Sequence, residues 1–166
     1  MKAMSRQKLK ELYDKDFPLW AEINYELLKE RAYELVDWEN LLEEIEDMAR
    51  RHLDSAVSYL AVILEHMYKW DNFRELTKSG KEKGGLGWIR SIELARGELE
   101  ALMEIYPSLK EKVPQNMNNA WKMAVPKILH SAQDLGKRIT KKDLPSACPY
   151  TYEEAMTRDL RKELKP

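Results

Sequence analysis

Apolar residues recur every three or four positions along most of this chain, and nowhere do they alternate over the length of a strand. The longest stripe runs through Leu41, Ile45, Met48, Ala49, Leu53, Ala56, Leu60, Ile63, Leu64 and Met67. Asp37 stands where an N-cap belongs, and residues 38–70 contain neither Gly nor Pro. The pattern predicts one helix of about 33 residues, roughly 50 Å long at ~1.5 Å per residue. Such a rod needs partners along its whole length to cover the stripe.

Flanking segments carry their own helical signals. Asp16 is placed to cap a helix with Pro18 just inside it, running to about Tyr33 with Leu19, Trp20, Ile23, Leu27 and Leu28 in phase. Residues 71–87 hold Gly80, Gly84, Gly85 and Gly87, which predicts a mobile loop. A third helix is expected from about Trp88 to Tyr106, with Trp88, Ile92, Leu99, Leu102, Met103 and Tyr106 turned inward. Ser108 would cap a short helix that Pro114 interrupts. A fourth long helix follows from about Gln115 to Leu135, kinked by Pro126 and stopped by Gly136. Thr151 and Glu154 form a capping-box pattern that opens a last helix to about Leu160. The fold class is all-α: an irregular helical bundle of about four main helices plus a short C-terminal helix, built on one very long central helix. Residues 1–11 read as a flexible N-terminal segment, 12–160 as a single helical domain and 161–166 as a tail.

Composition narrows the setting more than the chemistry. The 166 residues suffice for a single core. Charged residues are 34% of the chain, yet 28 basic against 29 acidic leave a net charge of -1, so no global field draws in nucleic acid or an anionic membrane. Cys148 is the one cysteine and cannot close an intramolecular disulfide, which suits a reducing compartment. No window of ~18 uncharged apolar residues is present and the N-terminus lacks a signal-like apolar core, so the expectation is a cytoplasmic protein with no membrane partner.

The acids at the start of the long helix, Glu39, Glu43, Glu44, Glu46 and Asp47, invite a metal reading. Carboxylate-bridged metal sites in bundles need Glu-x-x-His, but Ala49, Ile63 and Lys127 stand three before His52, His66 and His130. Glu44 and His66 are 22 residues apart, roughly 33 Å along a helix, and cannot share one ion. Glu46 and Asp47 instead stand four before Arg50 and Arg51, the favourable order for surface pairs. At the other end, His66, Lys69 and Trp70 form a candidate binding patch beside the glycine segment. Of the five tryptophans, Trp70 is the least readily assigned to packing.

Nucleotide motifs fail. From Gly80 a P-loop spacing reaches Gly85, but Leu86-Gly87 stands where Lys-Ser/Thr is required. Lys137, Arg138, Lys141 and Lys142 make the strongest basic run, a weak nucleic-acid signal because short runs are usually solvated surface. Cys148 lacks any activating base in its surroundings and reads as a small packed residue.

A set of short patterns recurs in order along the chain: Tyr13-x-x-Asp16-Phe17-x-x-Trp20, Asp37-Trp38-Glu39-Asn40-Leu41-x-Glu43-Glu44-Ile45-Glu46, and Leu60-x-x-Ile63-Leu64-x-His66-x-x-Lys69-Trp70. Trp88-x-x-x-Ile92-x-x-x-Arg96, Pro107-Ser108-Leu109 and Cys148-Pro149-Tyr150-Thr151 follow. This ordered set resembles the Domain of Unknown Function 29 family over about residues 12–160. The resemblance implies a small bacterial, often cyanobacterial, helical bundle with no established activity. Carrying the pattern over implies that Arg96 reaches Glu43, Glu44 or Glu46, forming a polar network or ligand site.

The functional expectation is a non-enzymatic protein-interaction or regulatory module, with a protein partner or a homo-oligomer. The alternative is a small-ligand or metal-dependent enzyme built on a carboxylate, His66 and Arg96, or a weak nucleic-acid binder. No catalytic residue, metal ligand set or cofactor is assigned.

Overall fold

The computed structural model describes residues 4–77 and 81–164, with side chains described for 4–77 and 85–164. Every regular element among the described residues is helical. In order these are α1 (Arg6–Lys15), α2 (Phe17–Lys29), α3 (Trp38–Phe73), α4 (Lys81–Ile105), α5 (Leu109–Lys112), α6 (Met117–Asp134) and α7 (Tyr152–Thr157), joined in places by short 3-10 turns. The chain divides into two compact units, Met1–Arg51 and His52–Pro166.

The first unit contains α1, α2 and the opening turns of α3. The Asp16 side chain accepts from the Leu19 N–H at 3.2 Å and caps α2 as expected. That helix ends earlier than expected, at Lys29, because Arg31 turns the chain with a φ of 62°. Leu9, Trp20 and Val36 are its buried apolar residues, and Tyr13 meets Trp20 edge-on with ring centroids 4.9 Å apart. Helix α1 occupies part of the stretch anticipated as an N-terminal arm.

The second unit is organised on the remainder of α3. Leu60, Ile63, Leu64 and Met67 are fully buried, and against them lie Ile92 and Leu99 of α4 with Trp121, Ala124 and Ile128 of α6. Ala155 of α7 and Leu160 close the same core. The Trp121 indole donates to the Pro145 carbonyl at 2.8 Å, so its polar edge is satisfied inside the core. Gly136 takes a φ of 76° and ends α6, with its N–H on Gln133 and the Lys137 N–H on Ala132. Pro126 lies inside α6 on its exposed side, and the helix continues through it. The Thr151–Glu154 capping box forms in both directions, whereas Ser108 makes no side-chain cap.

The glycine segment is not the loop that its composition suggests. Helix α3 continues to Phe73, a 3-10 turn spans Arg74–Leu76, and α4 starts at Lys81. Residues 78–80, including Gly80, lie outside the described residues. The reason for helical glycine is steric at one position. A Cβ on Gly85 would lie 2.5 Å from Cζ3 of Trp70, so only glycine lets α4 approach that indole.

Candidate functional site

Three groups of polar residues stand out, each placed by the helix that carries it. At the start of α3, Asp37 is fully buried and holds the entry to the helix. Its Oδ2 accepts from the Trp20 indole at 2.9 Å and from the Asn40 amide at 2.7 Å, while its N–H donates to Asn24 Oδ1. Asp37 Oδ1 is buried with no hydrogen-bond partner. Two turns on, Glu44 accepts from the Tyr13 hydroxyl at 2.6 Å, which pushes the phenol up to about 12. Glu46 pairs with Arg50, and Glu39 with Lys10. Glu43 is exposed.

The apolar stripe of α3 meets two different fates. From Ala56 onward it is buried, but Ile45 and Met48 are 52% and 62% exposed, and so is Leu42 beside the stripe at 59%. The expectation that packing covers the whole stripe therefore fails for these first turns.

At the other end of α3, Glu65 and Lys69 are buried at 7% and 8% exposure and lie 3.4 Å apart. The Lys69 ammonium also sits 5.3 Å from the centre of the Trp88 ring. His66 lies beside them, with Nδ1 at 2.8 Å from the Val62 carbonyl. That contact makes Nδ1 the protonated nitrogen of the neutral ring, leaving Nε2 as the acceptor. Burial lowers the His66 pKa, with Lys69 and Lys127 acting in the same direction, against the Val62 hydrogen bond and Glu65. Trp70 is a packed residue, contrary to expectation: it is 3% exposed, touched by α4 at Gly85 and by the Arg74 guanidinium 4.1 Å from its ring centre. His66, Lys69 and Trp70 thus share one stretch of helix, with Lys69 and Trp70 inside the core and only His66 near its edge.

Arg96 serves α7. Its Nε donates to the Ala155 carbonyl at 2.7 Å, and its terminal nitrogens donate to Arg158 and Glu154 carbonyls at 2.9 and 3.4 Å. These carbonyls lie at the helix C-terminus, where a cation is favoured and unbonded acceptors need donors. Replacing Arg96 with Met should cost about 1–3 kcal/mol in a urea melt, since half-buried carbonyls lose charged donors. A midpoint within error of wild type would refute this role. Glu43, Glu44 and Glu46 belong to the first unit and Arg96 to the second, and the bonds of each are those given above.

Around Arg96 a wider charge network forms. Arg158 grips Asp71 with both terminal nitrogens, at 2.9 and 2.7 Å, and also holds Glu163 at 2.8 Å. Tyr150 donates to the same Asp71 at 2.6 Å. Burial acts to raise the Asp71 carboxyl, but the Arg158 and Tyr150 hydrogen bonds outweigh it and hold the group below its ordinary value. Burial and the Asp71 hydrogen bond both push the Tyr150 phenol up. Arg161 forks onto Glu93, with its terminal nitrogen 2.8 Å from Oε2. A cleft of about 350 Å³ lies among Glu93, Arg96, Arg158, Asp159 and Arg161. Bidentate pairs of this kind fix geometry, and here they fasten the 158–163 segment to α3 and α4.

Sequence reasoning missed Glu65, Asp71, Tyr150 and Arg158. Glu65 left a readable sign, an acid four before a lysine inside an otherwise apolar run. Asp71 and Arg158 are 87 residues apart and no local pattern links them. Cys148 is half-buried, its thiol 3.4 Å from the Tyr150 carbonyl and pushed up by burial, which suits packing rather than nucleophilic work. Among the described residues no three His, Cys, Asp or Glu side chains are grouped so as to hold a metal ion, and no helix is long and apolar enough to cross a membrane.

Helices alone, one of them 36 residues long, with charged side chains spent on bracing those helices, define an all-α protein of the helical-bundle class. The chain belongs to the family described as Domain of unknown function DUF29, whose sequence profile matches residues 12–160. No curated protein and no solved structure matches it.

Proposed function

We propose that this chain is a non-enzymatic interaction module that works through the opening turns of α3, and that the partner is a second copy of itself. The observation that carries the reading is the uncovered row of Leu42, Ile45 and Met48 on one side of α3. Large apolar side chains at helical spacing with no cover of their own mark a contact surface. Charge along the same helix selects the partner. Glu39, Glu43, Glu46 and Asp47 precede Arg50 and Arg51, so the helix runs from acidic to basic across the stripe. Two copies laid antiparallel about Ile45 set Glu39 opposite the other's Arg51, whereas a parallel pair sets each charge against its own copy. An antiparallel pair about a two-fold axis is also self-complementary, the commonest arrangement for soluble oligomers.

Sedimentation equilibrium tests the reading. The wild-type chain should be dimeric at about 10 μM. The double variant Leu42→Glu/Ile45→Glu should be monomeric with an unchanged circular-dichroism spectrum. A wild-type monomer at roughly 100 μM, or a dimer that survives the double substitution, would overturn the proposal.

A further inference from the structure

The basic run after α6 lies outside the α3 surface, and its neighbourhood changes its meaning. Residues 122–143 contain six cations, Lys122, Lys127, Lys137, Arg138, Lys141 and Lys142, against the two carboxylates of Asp134 and Asp143. All six cations are exposed. Neither carboxylate pairs with one of the six cations. Asp143 accepts the Thr140 N–H at 2.7 Å and its hydroxyl at 3.2 Å, and Asp134 lies 3.7 Å from His130. Among the described residues, none of the six cations has a carboxylate within ion-pair distance, unlike Arg158 and Arg161.

A cleft of about 780 Å³ opens along this surface, between the last turns of α6 and the chain that follows. His130, Gln133, Lys137, Arg138 and Thr140 supply its polar wall and Leu129 part of its apolar wall. The left-handed turn at Gly136 makes the cleft, because it reverses the chain so that Lys137 and Arg138 flank the helix they leave. Lys137 is steadied there, its ammonium 5.2 Å from the centre of the Phe73 ring.

A purely structural account covers only part of the cluster. Cations at a helix C-terminus complement the dipole, which explains Lys137 and Arg138. It explains neither Lys122 and Lys127 in the body of α6 nor Lys141 and Lys142 beyond the turn, since the effect fades within one turn.

We propose that this face binds the phosphate backbone of double-stranded nucleic acid. Along α6, from Lys122 to the last turns that Lys137 and Arg138 flank, the charges extend roughly 18 Å at ~1.5 Å per residue, a length matching about five base pairs at ~3.4 Å each. Lysines are mobile point charges suited to a repeating array of phosphates rather than to one planar carboxylate. The cleft walls carry one ring, the His130 imidazole, and no Phe, Tyr or Trp, so they lack the succession of aromatic faces on which unpaired bases stack, which favours duplex over single strand. Contacts of this type read no sequence, so binding is nonspecific and salt-dependent.

Fluorescence anisotropy with a labelled 20-base-pair duplex of arbitrary sequence tests the proposal on the intact chain. At low salt the dissociation constant should be on the order of 10⁻⁴–10⁻⁶ M, and log affinity should fall with log salt at a slope of about −4 to −5. The triple variant Arg138→Gln/Lys141→Gln/Lys142→Gln should bind at least about tenfold more weakly and lose about 2.7 from that slope, 0.9 for each contact. A charge-matched control, Lys8→Gln/Lys15→Gln/Lys29→Gln, removes three exposed cations from α1 and α2 and should leave binding unchanged. Absence of binding at ~50 mM salt overturns the proposal. So does equal weakening in both triples, which would reflect net charge alone. A poly-glutamate peptide that binds as tightly as the duplex would assign the face to acidic proteins and equally overturn it.

Discussion

Replacing Lys69 with Met should destabilise this protein by about 3–5 kcal/mol, although methionine fills much the same volume. The reason is the partner left behind. Glu65 and Lys69 are each about nine-tenths buried and lie 3.4 Å apart on successive turns of α3. Without the ammonium, the buried Glu65 carboxylate would be left with only the His66 ring, 4.0 Å away and held towards its neutral form by burial. Restoring charge balance should also restore stability. In the double variant Glu65→Leu/Lys69→Met, most of the loss should return, because an apolar pair suits that site as well as an ion pair does. Urea melts of the three proteins at neutral pH check this. A Lys69→Met protein as stable as wild type at neutral pH would show that water reaches the pair.

The second large effect should come from Gly85→Val, which tests the contact that makes helix out of a glycine-rich segment. A Cβ there would lie 2.5 Å from the Trp70 ring, well inside any real contact distance. The indole has little freedom to retreat, being 3% exposed and covered by Arg74. Valine therefore has to displace α4 or Trp70, at a cost of about 3 kcal/mol, the upper end for overpacking a core. The double variant Gly85→Val/Trp70→Leu should recover part of that loss by vacating ring volume. Gly87→Ala should act in the opposite sense, stabilising by up to ~1 kcal/mol, since a Cβ at that position meets nothing within 4 Å and alanine favours helix. If Gly85→Val melts with the wild type, the close approach of α4 to Trp70 does not hold in solution.

Reading composition without a steric partner explains the error at residues 71–87. Glycine lowers helix propensity by ~1 kcal/mol each, and four of them in 17 residues read as a loop. Propensity is a small term beside burial. Trp70 and Phe73 on α3, with Ile89 and Ile92 on α4, bury enough apolar surface to draw helix into that segment from both ends. The same limit applies to Trp70, whose place beside glycines suggested an exposed ring when the glycine was in fact there to admit it.

Local chemistry was read more faithfully where cause and effect lie within a few residues. Asp16 as a cap, the Thr151–Glu154 box, the Gly136 stop and the pairing of Glu46 with Arg50 all follow from contacts made inside one turn. Helical period is equally local, so the all-α class and the long α3 were both legible in the order of apolar residues.

What the amino-acid order alone determined, then, is the all-α class, most of the helices from α2 onward, several of their caps and the phase of each apolar face. Only the tertiary structure decided how much of each face is covered and which charge meets which. Periodicity marks Ile45 and Leu60 alike as stripe positions, yet one is half exposed and the other fully buried. Likewise, Arg96 is spent on the carbonyls that end α7 and Arg158 on an aspartate 87 residues away. Covering and pairing depend on which elements come together across long stretches of chain, and a pattern with a period of a few residues carries no record of that.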